Sequence, residues 1–218
     1  MQALSTRLRE ETKVAHTLAE SATFVRCFLK GVIDRASYTK LLESLAQVYG
    51  AMEDALDHHR AHPVLSLLDF PELRRAPSLD EDLAFFRGPE WSPMGASEKT
   101  SSLATPRYVG RIRTVAYDRP ELLVGHLYTR YLGDLSGGQV IRTIMQRQFG
   151  FDTNGVGFYL FGDIAKPREF KDTYREQLDA APWDAAERTR VIDEVLVAYR
   201  FNTDLFRDLA EAKASSVA

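Results

Sequence analysis

Apolar side chains recur every three or four residues along most of this chain, and no segment shows the strict alternation of apolar and polar residues that a half-buried β-strand requires. In the first segment the apolar positions are Leu4, Leu8, Ala15 and Leu18. A helix expected from about Ala36 to His59 carries a longer stripe, formed by Leu41, Leu42, Leu45, Val48, Tyr49, Met52 and Leu56. This spacing places the apolar residues on one helix face. The sequence therefore predicts an all-α fold.

Start and stop signals divide the chain into about eight helices. Small polar residues before an apolar run favour a helix start, and glycine after the run favours its end. The expected starts are Ser78 with Glu81, Thr105 with Pro106, Asp118 with Pro120, Pro167, and Asp184 with Glu187; the expected ends include Gly31, Gly88 and Gly150. Residues 88–102 and 152–157 are expected to be loops. We expect residues 1–218 to form a single helical-bundle domain, with loosely ordered ends at 1–4 and 212–218.

Composition limits the classes of partner. The 28 basic and 31 acidic residues give a net charge of only -3, which argues against a general nucleic-acid or membrane footprint. The N-terminus is charged from Arg7 onward, and no stretch approaches the roughly 18 apolar residues of a membrane span. We therefore expect a cytoplasmic protein without stable membrane insertion. Because Cys27 is the only cysteine, a metal would have to be held by histidine, carboxylate or a prosthetic group.

The stretch YLGDLSGGQV, at residues 131–140, carries three glycines inside a region of helical pattern. Each interior glycine costs a helix about 1 kcal/mol relative to alanine, so Gly133, Gly137 and Gly138 together cost about 3 kcal/mol. Asp134 lies among them. One explanation is that a flat macrocycle must approach the backbone closely, which only glycine permits. Tight helix packing or a flexible kink explains the pattern equally well.

Of the five histidines, His16 is the best candidate for a metal ligand. Glu20 follows it by four residues, so both side chains project from one helix face. If one ring nitrogen of His16 held a metal, the carboxylate could hold the proton on the other nitrogen. An ordinary surface pair is the alternative from spacing alone. The other four, at positions 58, 59, 62 and 126, are expected to be solvated at a helix end or, for His126, to be satisfied and partly buried.

The metal sites found in helical proteins need different ligand sets, and this sequence lacks several of them. No histidine has a glutamate three residues before it, which excludes the paired motifs of a di-iron bundle, and no zinc-hydrolase ligand set is present. A single axial histidine can hold haem, because the porphyrin supplies four nitrogen ligands. Haem thus accounts for both a lone histidine and a glycine-lined helix.

Two motifs together resemble the haem oxygenase family: AHTLAE at 15–20 and YTRYLGDLSGGQV at 128–140. KDTYREQL at 171–178 and YRFNTDLF at 199–206 follow in the order and spacing of that family's later helices. The resemblance covers 8–209. It implies an all-α fold in which haem lies between an N-terminal proximal helix and a glycine-kinked distal helix. It also implies a reaction that opens haem to biliverdin, carbon monoxide and ferrous iron.

The resemblance implies a role for each matching residue around the iron. His16 would be the proximal iron ligand, and Glu20 would orient it. Gly133 and Gly137 would lie against the distal face of haem, and Gly138 would add freedom at the bend.

The same resemblance assigns the distal acid and the residues at the pocket mouth. Asp134 would be the catalytic carboxylate, acting on dioxygen through ordered water, with Tyr49, Arg130 and Asn202 holding it. The positions that meet the haem propionates are Arg9, which stands where the family has lysine, Tyr128, Lys171 and Arg175. For Lys171 and Arg175 the alternative is a solvated basic face that pairs with neighbouring carboxylates such as Asp172. Tyr199 and Phe206 would border the pocket, or pack in the core.

The family also implies haem b as both substrate and prosthetic group, dioxygen, and electrons from NAD(P)H through a redox partner. Since the chain has no nucleotide-binding glycine motif, a ferredoxin or a flavin reductase would supply the electrons. We expect the α isomer of biliverdin and a monomer. Two other readings stay open: a haem-binding or storage protein, and a thiamin-degrading enzyme, for which Cys27 would be the nucleophile. The aromatic neighbours Phe24 and Phe28 make Cys27 look like a packing residue.

Overall fold

The computed structural model describes residues 2–91 and 102–215. Within them the chain forms eleven α-helices, three short 3-10 turns and no strand, which confirms the all-α prediction. The 3-10 turns are Pro71–Leu73, Pro120–Leu122 and Gly157–Tyr159. The α-helices are α1 (Leu4–Glu11), α2 (Lys13–Glu20), α3 (Thr23–Leu29), α4 (Arg35–His58), α5 (Leu65–Leu68), α6 (Ala76–Arg87), α7 (Ala104–Asp118), α8 (Leu123–Asp134), α9 (Gly138–Phe149), α10 (Pro167–Ala180) and α11 (Ala185–Ser215).

The count of eleven exceeds the expected eight for three local reasons. The first expected helix divides at Thr12, whose hydroxyl donates to the Leu8 carbonyl at 2.6 Å and whose φ of -103° departs from the helical value. The glycine-bearing helix divides between Asp134 and Gly138. The third addition is α5, a single turn that no capping signal indicated.

Some helix boundaries follow from local signals. The reciprocal capping box is confirmed: the Asp184 N–H donates to Glu187 at 2.7 Å, and the Glu187 N–H donates to Asp184 at 2.6 Å. Gly88 and Gly150 end their helices with φ values of +94° and +70°, conformations that favour glycine. Pro167 begins α10 as expected.

Other expected starts are wrong, because a distant side chain replaces the local cap. Helix α6 begins at Ala76, two residues before Ser78, since the Glu53 carboxylate of α4 accepts the N–H of Arg75 at 2.6 Å. Helix α7 begins at Ala104 rather than after Thr105, and the Ala104 N–H donates to the carboxylate of Asp208 at 2.8 Å.

The chain ends and loops agree only in part with the expectations from sequence. Leu4, expected in a loosely ordered end, is fully buried and begins α1, and α11 continues to Ser215. Residues 152–156 form a loop as expected, and Gly157, the last residue of the expected loop, begins a 3-10 turn. Most of the loop expected at 88–102 lies outside the described residues. In the described part of the chain, no helix combines the length and apolar character that crossing a bilayer requires.

The core is one connected cluster of apolar side chains, and the predicted stripe of α4 is buried in it. Helix α4 packs against α6 and α7, while the long α11 packs against α2, α3, α7 and α8. Consequently α11 contacts both the helix that carries His16 and the helix that ends at Asp134.

Candidate functional site

The three glycines lie at the junction of α8 and α9. The Gly133 carbonyl accepts the N–H groups of Ser136 at 3.1 Å and Gly137 at 2.8 Å, so the chain makes one tight turn before α9 begins. Gly137 has φ -66° and ψ -30°, an ordinary right-handed conformation. Positive φ is therefore not the reason for glycine at position 137.

Close approach distinguishes the glycines from one another. Among the residues that the structure describes, a methyl group on Gly133 would meet nothing within 4 Å, and one on Gly137 would meet only the Gly133 carbonyl, at 3.6 Å. Both residues are exposed, so they present bare backbone to open space. A methyl on Gly138 would lie 2.7 Å from Cδ1 of the buried Tyr159. Gly138 thus answers an internal packing demand, whereas the backbone at Gly133 and Gly137 is a surface that a flat ligand such as haem fits.

Asp134, at the end of α8, is the centre of a buried polar network. Tyr49 donates its hydroxyl to Oδ2 of Asp134. The Arg130 Nη2 donates to both oxygens of Asp134, at 3.2 and 3.1 Å, and its Nη1 donates to Asn202 Oδ1 at 3.0 Å. The structure thus brings together all four residues that the sequence assigned to the distal network.

Burial dominates the electrostatics of this network. Burial raises the pKa of Asp134, while the Arg130 charge and the Tyr49 hydroxyl oppose the rise. Burial also raises the pKa of Tyr49, which keeps the phenol protonated as a donor. Burial is the largest single influence on Arg130 and works against its charge, but Asp134, Tyr49 and Tyr108 together outweigh it and raise the guanidinium pKa. Asp134 is therefore a carboxyl group that holds its proton more readily than an exposed aspartate does.

His16 lies on α2 with its side chain 50% exposed. Its Nδ1 is 3.4 Å from Oε2 of Glu20, so the carboxylate faces one ring nitrogen and leaves Nε2 as the ligand atom. The ring of Tyr199 meets the imidazole edge-on, with centroids 5.7 Å apart. This geometry fits a histidine that would hold an iron through Nε2, with its tautomer set by Glu20.

Helix α11 joins the two halves of the site. Tyr199, which contacts His16, and Asn202, which accepts from Arg130, are three residues apart on α11 and lie on one side of it. The candidate iron ligand on α2 and the buried carboxyl network on α8 therefore contact neighbouring positions of α11.

The polar residues expected at the pocket mouth form two groups. In the first, Tyr128 is close to Arg175 and Arg9; burial raises the pKa of its phenol, and both arginines oppose that rise. In the second, Lys171 Nζ donates to Ser136 Oγ at 2.9 Å, beside the exposed glycine backbone. Each group places positive charge near α8 and α9.

Two of the expected pocket residues also make the contacts of the alternative interpretation. Arg175 pairs with Asp172 at 2.8 Å, as expected of a solvated basic face. Phe206 is half-buried and stacks on Phe24, with ring centroids 6.1 Å apart and planes within 14°. The contact with Phe24 is the core packing that the sequence left open for Phe206.

The other histidines do not join this site. His126 is fully buried and bonded through Nε2 to Glu194 at 2.9 Å, as a satisfied core histidine. His58 is exposed, whereas His59 and His62 are half-buried and bond to nearby backbone groups. Cys27 is half-buried and packs on the core.

Sequence reasoning missed two residues that shape the site. Tyr159 packs against Gly138, and Glu53 accepts from the Tyr131 hydroxyl at 3.2 Å as well as capping α6. Both act across long separations in the chain. The one sequence signal for Tyr159 was Gly138. Glycine is unfavourable in a helix, so its presence there indicates a bulky neighbour that needs the space.

Comparison with known proteins identifies the architecture. A family model described as heme oxygenase matches residues 2–208. Heme oxygenase 1 of Synechocystis is 45% identical over 206 residues, which cover 94% of this chain and 84% of that protein. The crystal structure of heme oxygenase-1 from Synechocystis in complex with heme superposes with a TM-score of 0.88 at 42% identity, over 99% of this chain and 98% of that one. Heme oxygenase from Leptospira interrogans superposes with a TM-score of 0.87 at 39% identity, covering 94% and 98% of the two chains. This chain belongs to the heme oxygenase family.

Proposed function

We propose that this chain is a haem-degrading monooxygenase that opens haem b to biliverdin, in the α isomer, with release of carbon monoxide and ferrous iron. The observation that carries the proposal is the pairing on α11, where Tyr199 contacts His16 and Asn202 contacts Arg130. Through this pairing one helix contacts both the candidate ligand histidine and the network of the buried acid, which the exposed Gly133 directly precedes in the chain. Family membership supports the same reaction.

His16 is the residue that would hold the haem iron, through Nε2. Glu20 faces Nδ1 and keeps the ring in the tautomer whose Nε2 lone pair is available. When bound, haem supplies the iron that activates dioxygen and the ring carbon that is oxidised. Gly133 and Gly137 allow the porphyrin to lie against the backbone, which restricts the face and edge presented to dioxygen.

Asp134 is the residue that would deliver protons on the distal side. Its raised pKa lets the carboxyl exchange a proton with water near neutral pH more readily than an exposed aspartate does. Tyr49 and Arg130 fix both carboxyl oxygens, and Asn202 fixes Arg130 in turn. A water molecule bonded to Asp134 would thereby be oriented by side chains that these hydrogen bonds already hold in place.

Four polar residues would meet the two haem propionates: Arg9, Tyr128, Lys171 and Arg175. The two arginines, close to Tyr128, suit one carboxylate, and Lys171, beside Ser136, suits the other. Arginine at position 9 retains the charge and adds a planar pair of donors.

The reaction also requires a co-substrate and a source of electrons. Dioxygen is the co-substrate, and electrons from NAD(P)H reach the haem through a ferredoxin or a flavin reductase. The enzyme works as a monomer in the cytoplasm. The positive charges of Arg9, Lys171 and Arg175 favour an acidic electron donor.

The test is to mix the purified chain with hemin, ascorbate and oxygen and to identify the products by absorption and chromatography. We expect the Soret band to decay while biliverdin α and carbon monoxide accumulate. Asp134→Ala should bind hemin yet yield little biliverdin, and Glu81→Gln, an exposed change on α6, should behave as wild type. A Soret band that persists in the wild type would indicate haem storage instead.

A further inference from the structure

The segment 155–161 crosses the molecule between α6 and the distal network, and α6 holds it through a buried carboxylate. Asp82 is 1% exposed. Its Oδ1 accepts the N–H of Gly157 at 2.9 Å, and its Oδ2 accepts the N–H of Phe158 at 2.8 Å. Both carboxylate oxygens are thus committed to consecutive backbone groups of this segment.

Two further hydrogen bonds hold the ends of the segment. Arg75, at the start of α6, donates from Nη1 to the Leu160 carbonyl at 2.6 Å. Tyr38 of α4 donates its hydroxyl to the Gly155 carbonyl at 2.8 Å. The backbone of 155–161 is therefore held by hydrogen bonds from α4 and from α6 with its preceding residue.

The same segment also packs on the residues of the candidate site. The ring of Phe158 meets the ring of Tyr49 edge-on, with centroids 5.3 Å apart. Tyr159 fills the space that a side chain at Gly138 would need. Gln139, the next residue of α9, donates to the Tyr159 carbonyl at 2.8 Å. Any movement of the segment consequently reaches Tyr49 and the start of α9.

Tyr49 transmits that position to the acid, because its hydroxyl donates to Oδ2 of Asp134. Tyr49 is completely buried, and its ring also contacts the ring of Tyr131, with centroids 5.6 Å apart. Because the Tyr49 ring is closely packed, it moves when a side chain that contacts it moves.

We propose that Asp82 is a positioning residue for the Asp134 carboxyl: by holding the N–H groups of Gly157 and Phe158, it sets the Phe158 ring against Tyr49 and so fixes the hydroxyl that Tyr49 donates to Asp134. The inference deepens the proposed function and rests on it for the catalytic importance of Asp134. The geometric part concerns this chain's residues alone, so it is testable without haem.

The test is Asp82→Asn, with the Asp134 carboxyl titrated by carbon NMR in the haem-free protein. The asparagine amide turns a donor toward a backbone N–H, which breaks one of the two hydrogen bonds. Besides Tyr49, the groups that lower the pKa of Asp134 are Arg130 and Arg75. With both arginines in place, loss of the Tyr49 contact should raise the Asp134 pKa by about half a unit or more. Glu81→Gln, an exposed carboxylate one position earlier on α6, should leave it unchanged.

A second variant distinguishes loss of the contact with Tyr49 from a general loss of stability. Phe158→Leu leaves the Asp82 hydrogen bonds in place and removes the ring that meets Tyr49, so it should raise the Asp134 pKa in the same direction. Because the two changes act through one contact, the double variant should show less than the sum of the two shifts.

An Asp134 titration that is unmoved or lowered in both variants would overturn the positioning role, whatever their melting temperatures. Ascorbate-supported biliverdin formation, measured on the same variants, separates the two proposals. If the pKa moves as expected and wild-type haem is not degraded, the proposed function fails and the positioning stands.

Discussion

The three glycines of the distal turn serve two separate purposes. Gly138 is needed inside the protein, where the Tyr159 ring occupies the place of a side chain. Gly133 and Gly137 are not required by any neighbour in the described part of the chain, and their backbone is exposed. Glycine at these two positions lowers helix stability and meets no packing need of the described structure. We therefore infer that the two glycines make room for a ligand, which we propose to be haem.

This difference predicts opposite effects for two alanine substitutions. Gly133→Ala should stabilise the haem-free protein by up to about 1 kcal/mol, since alanine is the better helix former, yet weaken hemin binding by about tenfold, or about 1.4 kcal/mol. Gly138→Ala should destabilise the haem-free protein by about 1–3 kcal/mol through overpacking. Urea unfolding and hemin titration measure both quantities. Equal losses of stability in the two variants would remove the distinction.

The matched control for Gly138→Ala is a second substitution that makes the neighbouring side chain smaller. Tyr159→Leu should restore part of the stability lost in Gly138→Ala, because the clash is with the aromatic ring. It should do nothing for the hemin affinity of Gly133→Ala. Failure of Tyr159→Leu to relieve Gly138→Ala would place the strain elsewhere.

His16 gives the second prediction at this scale. His16→Ala should lose the absorption spectrum of histidine-ligated haem, and added imidazole should restore it by filling the position of the missing ring. Glu20→Gln should keep the ligand but lower the iron–histidine stretching frequency in resonance Raman spectra, since a neutral amide polarises the imidazole less than a carboxylate does. An unchanged spectrum in His16→Ala would assign the iron to another side chain.

At the scale of helices, local chemistry was enough wherever the cap lies close in sequence. The box of Asp184 and Glu187 and the ends at Gly88 and Gly150 were predictable for that reason. The start of α6 was not, because its cap, Glu53, belongs to another helix. Periodicity determined the fold class, whereas distant contacts set several boundaries.

The candidate site divides in the same way. Arg130 and Asp134 are four apart on one helix, a pairing that spacing alone suggests. Tyr49 and Asn202 were reachable only through the resemblance of the whole chain to a family. Asp82 was missed because its partners are backbone N–H groups 75 and 76 residues away, for which no side-chain pattern exists.

The side-chain bonds that join α7, α8 and α11 give a prediction about how stability depends on pH. Glu194 of α11 bonds to His126 of α8 at 2.9 Å and to Arg111 of α7. Burial raises the pKa of Glu194, but the bonds to His126 and Arg111 prevail and lower it from 4.5 to about 2. A carboxylate with a depressed native pKa contributes stability above its unfolded pKa and loses it as the pH falls toward the native value.

Wild-type protein should therefore lose free energy of unfolding between pH 4.5 and about 2, and Glu194→Gln should lose less over that interval while being less stable at pH 7. Urea unfolding at about pH 5, 4 and 3 measures the slope. Asp193→Asn, an exposed neighbour on α11, is the control and should follow the wild type. Parallel curves for wild type and Glu194→Gln would show that Glu194 carries no such linkage.

Over the whole molecule, α11 is the element that joins the parts of the site. It packs along α2 and α8, so that the candidate iron ligand and the buried acid are set by one rigid helix. The basic residues of α1 and α10 lie outside this frame, where an incoming protein can approach them.

That arrangement predicts salt-dependent electron transfer. The reduction rate of the ferric haem complex by a reduced acidic ferredoxin should fall as ionic strength rises from about 0.01 to about 0.15 M, because the Debye length shrinks from about 30 to about 8 Å. Stopped-flow absorption measures the rate. A small uncharged reductant should show little dependence on salt. A ferredoxin rate insensitive to salt would mean that charge does not guide the donor.

The most direct measurement for the whole account is a crystal structure of the chain with haem bound. The account predicts iron bonded to Nε2 of His16, with the porphyrin plane against the backbone of Gly133 and Gly137 and the Asp134 network on the distal side. Iron held by another side chain, or a porphyrin bound away from the two exposed glycines, would contradict it.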